Sequence, residues 1–290
     1  MIELLVEQII NGIVTGTVYA LVAVGMTMIF GVLRAINFAH GEYYMAGTFA
    51  AWYAIARFEV PYVASIAVAV VSTAAIAAVI GRLVMARLVT APFQSGVLAT
   101  IGISLILQNL AILTFGGSYK TFAGGWLEPI EVFDIFLAKQ RLVIVAVVLV
   151  VFAVLEWMVR RTRIGKAIRA VSQNMECCQV VGIDVEQVVL RTFILGTGLA
   201  ALSGVLTAPI NVSVYGGMGE AITLKTFAVI VMGGMGNVRG TLISGVILGV
   251  IESFVAGFLG LQFRDAVGFV ALIGVLMWRP AGLFSAKARY

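Results

Sequence analysis

Apolar runs about as long as a bilayer is thick recur along this 290-residue chain, and they limit its folding more than any other feature. A membrane-spanning helix needs about 20 mainly apolar residues. Runs of this order stand at residues 9–33, 62–84, 93–115, 142–159, 188–212 and 241–259, with a shorter one at 266–277. Residues 37–56 add a span that opens on the polar string INFAHGEYYMAG. Residues 221–232 are too few to cross comfortably and predict a short, tilted or broken helix. Hydrophobic residues make up 61% of the chain and charged residues 11%, with mean hydropathy +1.08, which excludes an ordinary soluble domain. The expectation is an all-α polytopic membrane protein, a bundle of about 8–9 transmembrane helices forming a single domain over residues 1–290.

Charge sets the expected orientation. Five of the nineteen basic residues, Arg160, Arg161, Arg163, Lys166 and Arg169, fall within ten positions. Such density marks a cytoplasmic loop. Alternating sides from there puts the N-terminus outside and the C-terminus in the cytoplasm, with Arg34, Arg82, Arg87, Arg191, Arg239, Arg279, Lys287 and Arg289 on the basic side. The opening MIELLVEQ carries glutamates and no basic residue, unlike a signal peptide, so the first span is expected to be retained. The net charge of +5 belongs to loops facing anionic lipid and cytosol, not to nucleic-acid binding. Cys177 and Cys178 are adjacent in a reducing compartment, where neither a disulfide nor a metal site is expected.

The loop over residues 160–186 has the marks of an ordered docking element. Val171, Met175, Cys178, Val181 and Val185 recur at spacings of three and four, which predicts one stripe of a short amphipathic helix. Gly182 can take the left-handed conformation that stops it, and Asp184 with Gln187 predicts the start of the next helix.

Within the spans, polar groups are few and each has to face protein or water. Asn37, His40 and Glu42 stand at the mouth of the second span, and Gln108 and Asn109 sit side by side in the fourth; all are candidates for lining or gating a path. His40 is the only histidine, and no further ligand completes an acid/base or metal site with it. Ser203 in ALSG fits helix packing better than proteolysis, because the predicted topology puts His40 near the cytosolic face and Ser203 inside the sixth span. Glu252 is the one carboxylate well inside a span and has no basic residue in that span; ion coupling and a polar link between helices both stay open. Gly12 and Gly16 have GxxxG spacing, repeated by Gly245 and Gly249. These four, with Gly233, Gly234, Gly236 and Gly240, are assigned to helix packing. GGMGNVRG lacks the Lys-Ser/Thr ending of a phosphate loop, so no nucleotide, catalytic or metal site is assigned to this chain.

Several separated strings together resemble the LivH-type permeases of branched-chain amino acid ABC importers: INFAHGEYYMAG at 36–47, TIGISLILQN at 100–109, RIGKAIRAVSQN at 163–174, VVGID at 180–184, FAVIVMGGMGNVRGTLISGVILGVIES at 227–253 and WRPAGLF at 278–284. The resemblance implies a type II importer fold in a bacterial inner membrane. It also implies partners: a homologous LivM-type permease, two cytosolic ATPase subunits that carry ATP-Mg, a periplasmic or extracellular substrate-binding protein, and lipid. It assigns residues 163–184 to coupling with the ATPase, through Arg163, Gly165, Lys166, Arg169, Ala170, Asn174, Glu176, Gly182, Ile183 and Asp184. Solutes served by such permeases include branched-chain and aromatic amino acids, amides and urea. The alternative from the residues alone is a secondary transporter coupled through Glu252.

Overall fold

The computed structural model describes residues 2–89, 91–132, 135–279 and 281–284. Lys287, Arg289 and the C-terminal end lie outside these, as does Pro280 of the WRPAGLF string. The helices are α1 (Ile2–Leu33), α2 (His40–Phe58), α3 (Tyr62–Ile80, prolonged by a π-helical turn, Gly81–Met85), α4 (Phe93–Phe115), α5 (Lys139–Arg161), α6 (Arg163–Gln173), α7 (Met175–Val180), α8 (Val185–Asn211), α9 (Met218–Gly233), α10 (Val238–Phe258) and α11 (Arg264–Trp278). Seven of them, α1, α3, α4, α5, α8, α10 and α11, are long and apolar enough to cross a membrane. At 16 residues α9 rises only about 24 Å, short of a hydrocarbon core about 30 Å thick.

The expectation of an all-helical chain needs one correction. The interval between α4 and α5 holds short strands: β1 (Lys120–Thr121), and β2 (Pro129–Val132) paired antiparallel with β3 (Ile135–Ala138). Lys120–Thr121 pairs with β4 (Ser213–Val214), which follows α8. Backbone that leaves a helix must find partners elsewhere. These pairs supply them at one end of the bundle.

Two helices form the middle. The apolar windows of α1 and α8 are 83% and 78% buried, whereas those of α3, α4, α5 and α11 are at most 22% buried and present apolar side chains outward. Helix α1 packs most extensively on α10, and small residues explain why. A Cβ placed on Gly12 or Gly16 would meet the Val250 or Val246 Cα, and one on Gly249 would meet the Gly16 backbone. The two backbones therefore touch, which replaces the missing hydrophobic drive with dispersion contact. Gly233 and Gly240 are similarly opposed across the turn between α9 and α10. Gly236 is different: with φ +87° and nothing within 4 Å of a Cβ, it shapes the turn and packs against no helix. Gly234, at φ +85°, also serves that turn, with Gly282 lying against it.

Proline inside α8 is accommodated by side chains of its neighbours. Pro209 has no N–H for the Val205 carbonyl, and the Tyr62 hydroxyl donates to that oxygen at 3.1 Å instead. Gln140 Nε2 donates to the next carbonyl, Leu206 O, at 2.7 Å and to the Tyr62 hydroxyl at 2.8 Å. The carbonyl that Pro209 frees is thereby satisfied within the protein.

Candidate functional site

One end of the bundle is built by α5, α6, α7 and the start of α8. The Thr162 hydroxyl accepts from the Gly165 N–H at 3.1 Å and caps α6. Gly165 is held against the last turn of α5, where a Cβ would meet the Met158 and Val159 carbonyls. Arg34, from the end of α1, donates to the Ser172 and Gln173 carbonyls at 3.4 and 3.2 Å. A cation there complements the carboxyl end of α6. The predicted single amphipathic helix is in fact two. Asn174 leaves helical geometry, and its side chain accepts from the Cys177 N–H at 2.9 Å to start α7. Val171, Cys178 and Val185 face the core and Met175 is half-buried, but Val181 lies 72% exposed beside Val180 at 87%. Val181 follows the end of α7, so this fourth member of the stripe points outward, and Val185 on α8 returns to the core. Gly182 takes φ +81° in open space, and the Asp184 carboxylate caps α8 by accepting from the Gln187 N–H at 3.0 Å. Arg163, Lys166, Arg169 and Glu176 are exposed, Ala170 and Ile183 half-buried.

Among the described residues, two buried carboxylates each gather a polar cluster. Glu252 on α10 is fully buried, and its Oε2 accepts from the Tyr19 hydroxyl at 2.7 Å, Lys225 Nζ at 3.1 Å and Arg264 Nε at 3.4 Å. Lys225 also bridges to Asp265 at 2.9 Å and lies 5.3 Å from the centre of the Tyr19 ring. The carboxylate that has no cation in its own span is thus matched by two from α9 and α11. The second cluster is at Glu42, whose Oε1 accepts from the Ser104 hydroxyl at 3.1 Å while Oε2 is buried without a partner. A cavity of about 210 Å³ beside it is lined by Glu42, Ser104, Gln108, Glu220 and Thr223, with Leu105 among its apolar walls.

Besides Glu252, three sequence candidates form no part of that cavity's wall. Asn37 is buried and its Oδ1 accepts from the Ala39 N–H at 3.1 Å, forming the turn into α2. His40 is fully buried with Nε2 3.0 Å from the Val22 carbonyl, a tie between α2 and α1. Asn109 faces outward and donates to the Leu105 carbonyl of its own helix at 2.7 Å. Adjacent residues on a helix point about 100° apart, so Gln108 and Asn109 cannot share a face. Ser203 donates to the Val18 carbonyl at 3.4 Å as a packing residue.

The family model described as "Branched-chain amino acid transport system / permease component" matches residues 8–277. The chain belongs to that family. It is similar to the high-affinity branched-chain amino acid transport system permease protein BraD of Pseudomonas aeruginosa, 31% identical over 96% of this chain and 94% of the relative. The LivH permease protein of Escherichia coli K12 is likewise 31% identical, with the same coverage. More distantly, the ribose import permease protein RbsC of E. coli K12 is 28% identical over 86% of this chain and 77% of the relative. No solved structure matches. The chain is therefore a multi-pass membrane permease component of a transport system, from a family of transport components and not of enzymes.

Reasoning from the sequence missed the permease's principal charged residues, Lys225, Arg264 and Asp265, because alternation of sides placed them in or near outer loops. The usable signal was chemical: a carboxylate inside a span calls for a cation, and Lys225 lies within the short apolar helix next to it. Tyr215, in the turn before α9, packs against Tyr119 with ring centres 4.8 Å apart and planes tilted by 50°. Burial, then the neighbouring Tyr119 and Asp265, raises its hydroxyl above the ordinary tyrosine value. Among the described residues, no three His, Cys, Asp or Glu side chains converge as metal ligands would.

Proposed function

We propose that the permease is a membrane subunit of an ATP-driven importer of branched-chain aliphatic amino acids in a bacterial inner membrane. A second, LivM-type permease completes the translocation unit, and a binding protein outside the membrane delivers the solute. In this reading α2 and α9 join the seven apolar helices as crossings, the N-terminus is outside, and α6–α7 project into the cytosol. Two ATPase subunits hold ATP-Mg and act on residues 163–184, the coupling element, within the loop spanning 160–186. The observation that carries the proposal is the capped, core-anchored α6–α7 pair, which exposes Val180 and Val181 at the end of α7 and Arg163, Lys166 and Arg169 along α6. Exposed apolar residues on a rigid cytosolic element suit a protein partner better than solvent.

The arrangement at Glu252 speaks against the secondary transporter as the runner-up. A coupling cation at Glu252 Oε2 would have to displace Lys225 and Arg264, both within 3.4 Å of that oxygen, and at the buried, unpartnered Oε1 it would meet their positive charge close by. Reconstitution with the partner permease, ATPases and binding protein tests the proposal: leucine accumulates only with ATP inside and continues with a protonophore present. Accumulation by the permease pair alone, or collapse on adding the protonophore, would overturn it.

A further inference from the structure

Three cavities run in succession along the side of the molecule that holds the Glu252 cluster. The first, about 320 Å³, has polar walls that include Gln8, Asn11, Arg141 and Ser253. It shares Val14, Thr15, Ile210, Asn211 and Arg264 with a second, of about 440 Å³. The third, about 180 Å³ and mainly apolar, shares only Ala221, Lys225 and Asp265 with the second. The Lys225–Asp265 ion pair therefore stands in the wall between the second cavity and the third.

The second cavity has two chemical faces. Val14, Val18, Ile144 and Ile222 form an aliphatic wall, and Lys225, Arg264 and Asp265 a charged one. Its volume lies in the range of about 300–1,000 Å³ typical of small-ligand sites. We propose that it binds one aliphatic α-amino acid as a zwitterion, and that the solute passes by exchanging ions with the Lys225–Asp265 pair. The inference rests on the importer reading and gives that reading a solute site within a single permease.

Charge balance selects a zwitterion. Its carboxylate can take the place of Asp265 on Lys225 while its ammonium takes the place of Lys225 on Asp265, so that no charge is left unmatched. Lys225, Arg264, Glu252 and Asp265 together carry no net charge, so a lone anion or cation would leave this partly buried cluster unbalanced. The exchangeable partner is also the accessible one: the Asp265 side chain is 80% exposed, whereas that of Glu252 is fully buried and holds Lys225 in place at 3.1 Å. Arg264 places only its Nε on Glu252, leaving its terminal N–H groups for the solute carboxylate.

The test uses the complete importer in proteoliposomes. Asn211→Cys places a thiol reporter in the wall common to the first two cavities, and Cys177→Ser removes the exposed native thiol. Leucine is expected to slow labelling of the reporter by a membrane-impermeant maleimide. 4-Methylpentanoate and 3-methylbutylamine, which carry one charge each, are expected not to. Asp265→Asn should raise the leucine concentration needed about tenfold, the loss expected for one charge-assisted contact. Unchanged labelling while leucine uptake persists in the same vesicles overturns the site but leaves the importer standing. Protection without ATP-driven uptake removes the importer reading instead. Equal protection by either single-charge compound, or no effect of Asp265→Asn, overturns the exchange. Should Asn211→Cys disrupt assembly, Ser213→Cys in the same cavity wall gives the same readout.

Discussion

Gly249→Ala is the sharpest probe of how this bundle is held together. The added methyl would enter the Gly16 backbone and the Gly12 carbonyl oxygen, so α1 and α10 must move apart along the seam where α1 makes its most extensive contact. Overpacking of this kind costs about 1–3 kcal/mol, against a gain of roughly 0.5–1 kcal/mol from replacing a helical glycine with alanine. The difference of those two ranges is a net loss of about 0–2.5 kcal/mol, centred near 1 kcal/mol. Gly274→Ala is the control, because its Cβ would meet nothing within 4 Å and only the helical gain applies. Thermal unfolding in mild detergent, followed by reaction of the buried Cys178 thiol in a Cys177→Ser background, ranks the two. Gly249→Ala should unfold below the parent and Gly274→Ala at or above it. Equal midpoints, or the reverse order, would refute the claim that backbone contact at this seam holds α1 on α10.

Further consequences can be measured independently. Arg34→Ala removes the cation from the carboxyl end of α6 and should cost about 0.3–1 kcal/mol locally, seen as severalfold faster amide exchange in residues 163–174 with the rest of the bundle unchanged. Gln140→Leu strips the Leu206 carbonyl of its side-chain donor and should destabilise the permease by about 1–3 kcal/mol in the same unfolding assay. Asn174→Ala loses the cap of α7 and should cost about 0.5–2 kcal/mol, read as faster exchange confined to residues 175–181.

The periodic features of the fold were legible in the sequence, whereas the places where one helix answers another were not. Apolar runs of bilayer length locate the long helices to within a few residues, except that α1 begins earlier than its uninterrupted run, because Glu3, Glu7 and Gln8 break up the apolar residues of its first turns. Glycine spacing at 12 and 16 and at 245 and 249 flagged two contact faces without saying that they meet. The left-handed Gly182 and the Asp184 cap are local features and could be read directly. Asn174 was harder, since a polar residue between two compatible stripes interrupts the helix only because its side chain caps the second segment. Lys225, Arg264 and Glu252 belong to three helices, and nothing in any one span discloses that they converge on a single oxygen. The Glu42 cavity is of the same kind, assembled from α2, α4 and α9.

If force reaches this permease through the tip of α6–α7, then charge placed at that tip must break the connection without harming the bundle. Aspartate at both Val180 and Val181 meets that condition, because these side chains are exposed and their replacement leaves the core intact. In proteoliposomes containing the whole importer, the variant should reach the membrane and keep its unfolding midpoint, but lose ATPase copurification and leucine uptake together. Uptake at the parental rate with the ATPases still bound would contradict entry of force at this tip.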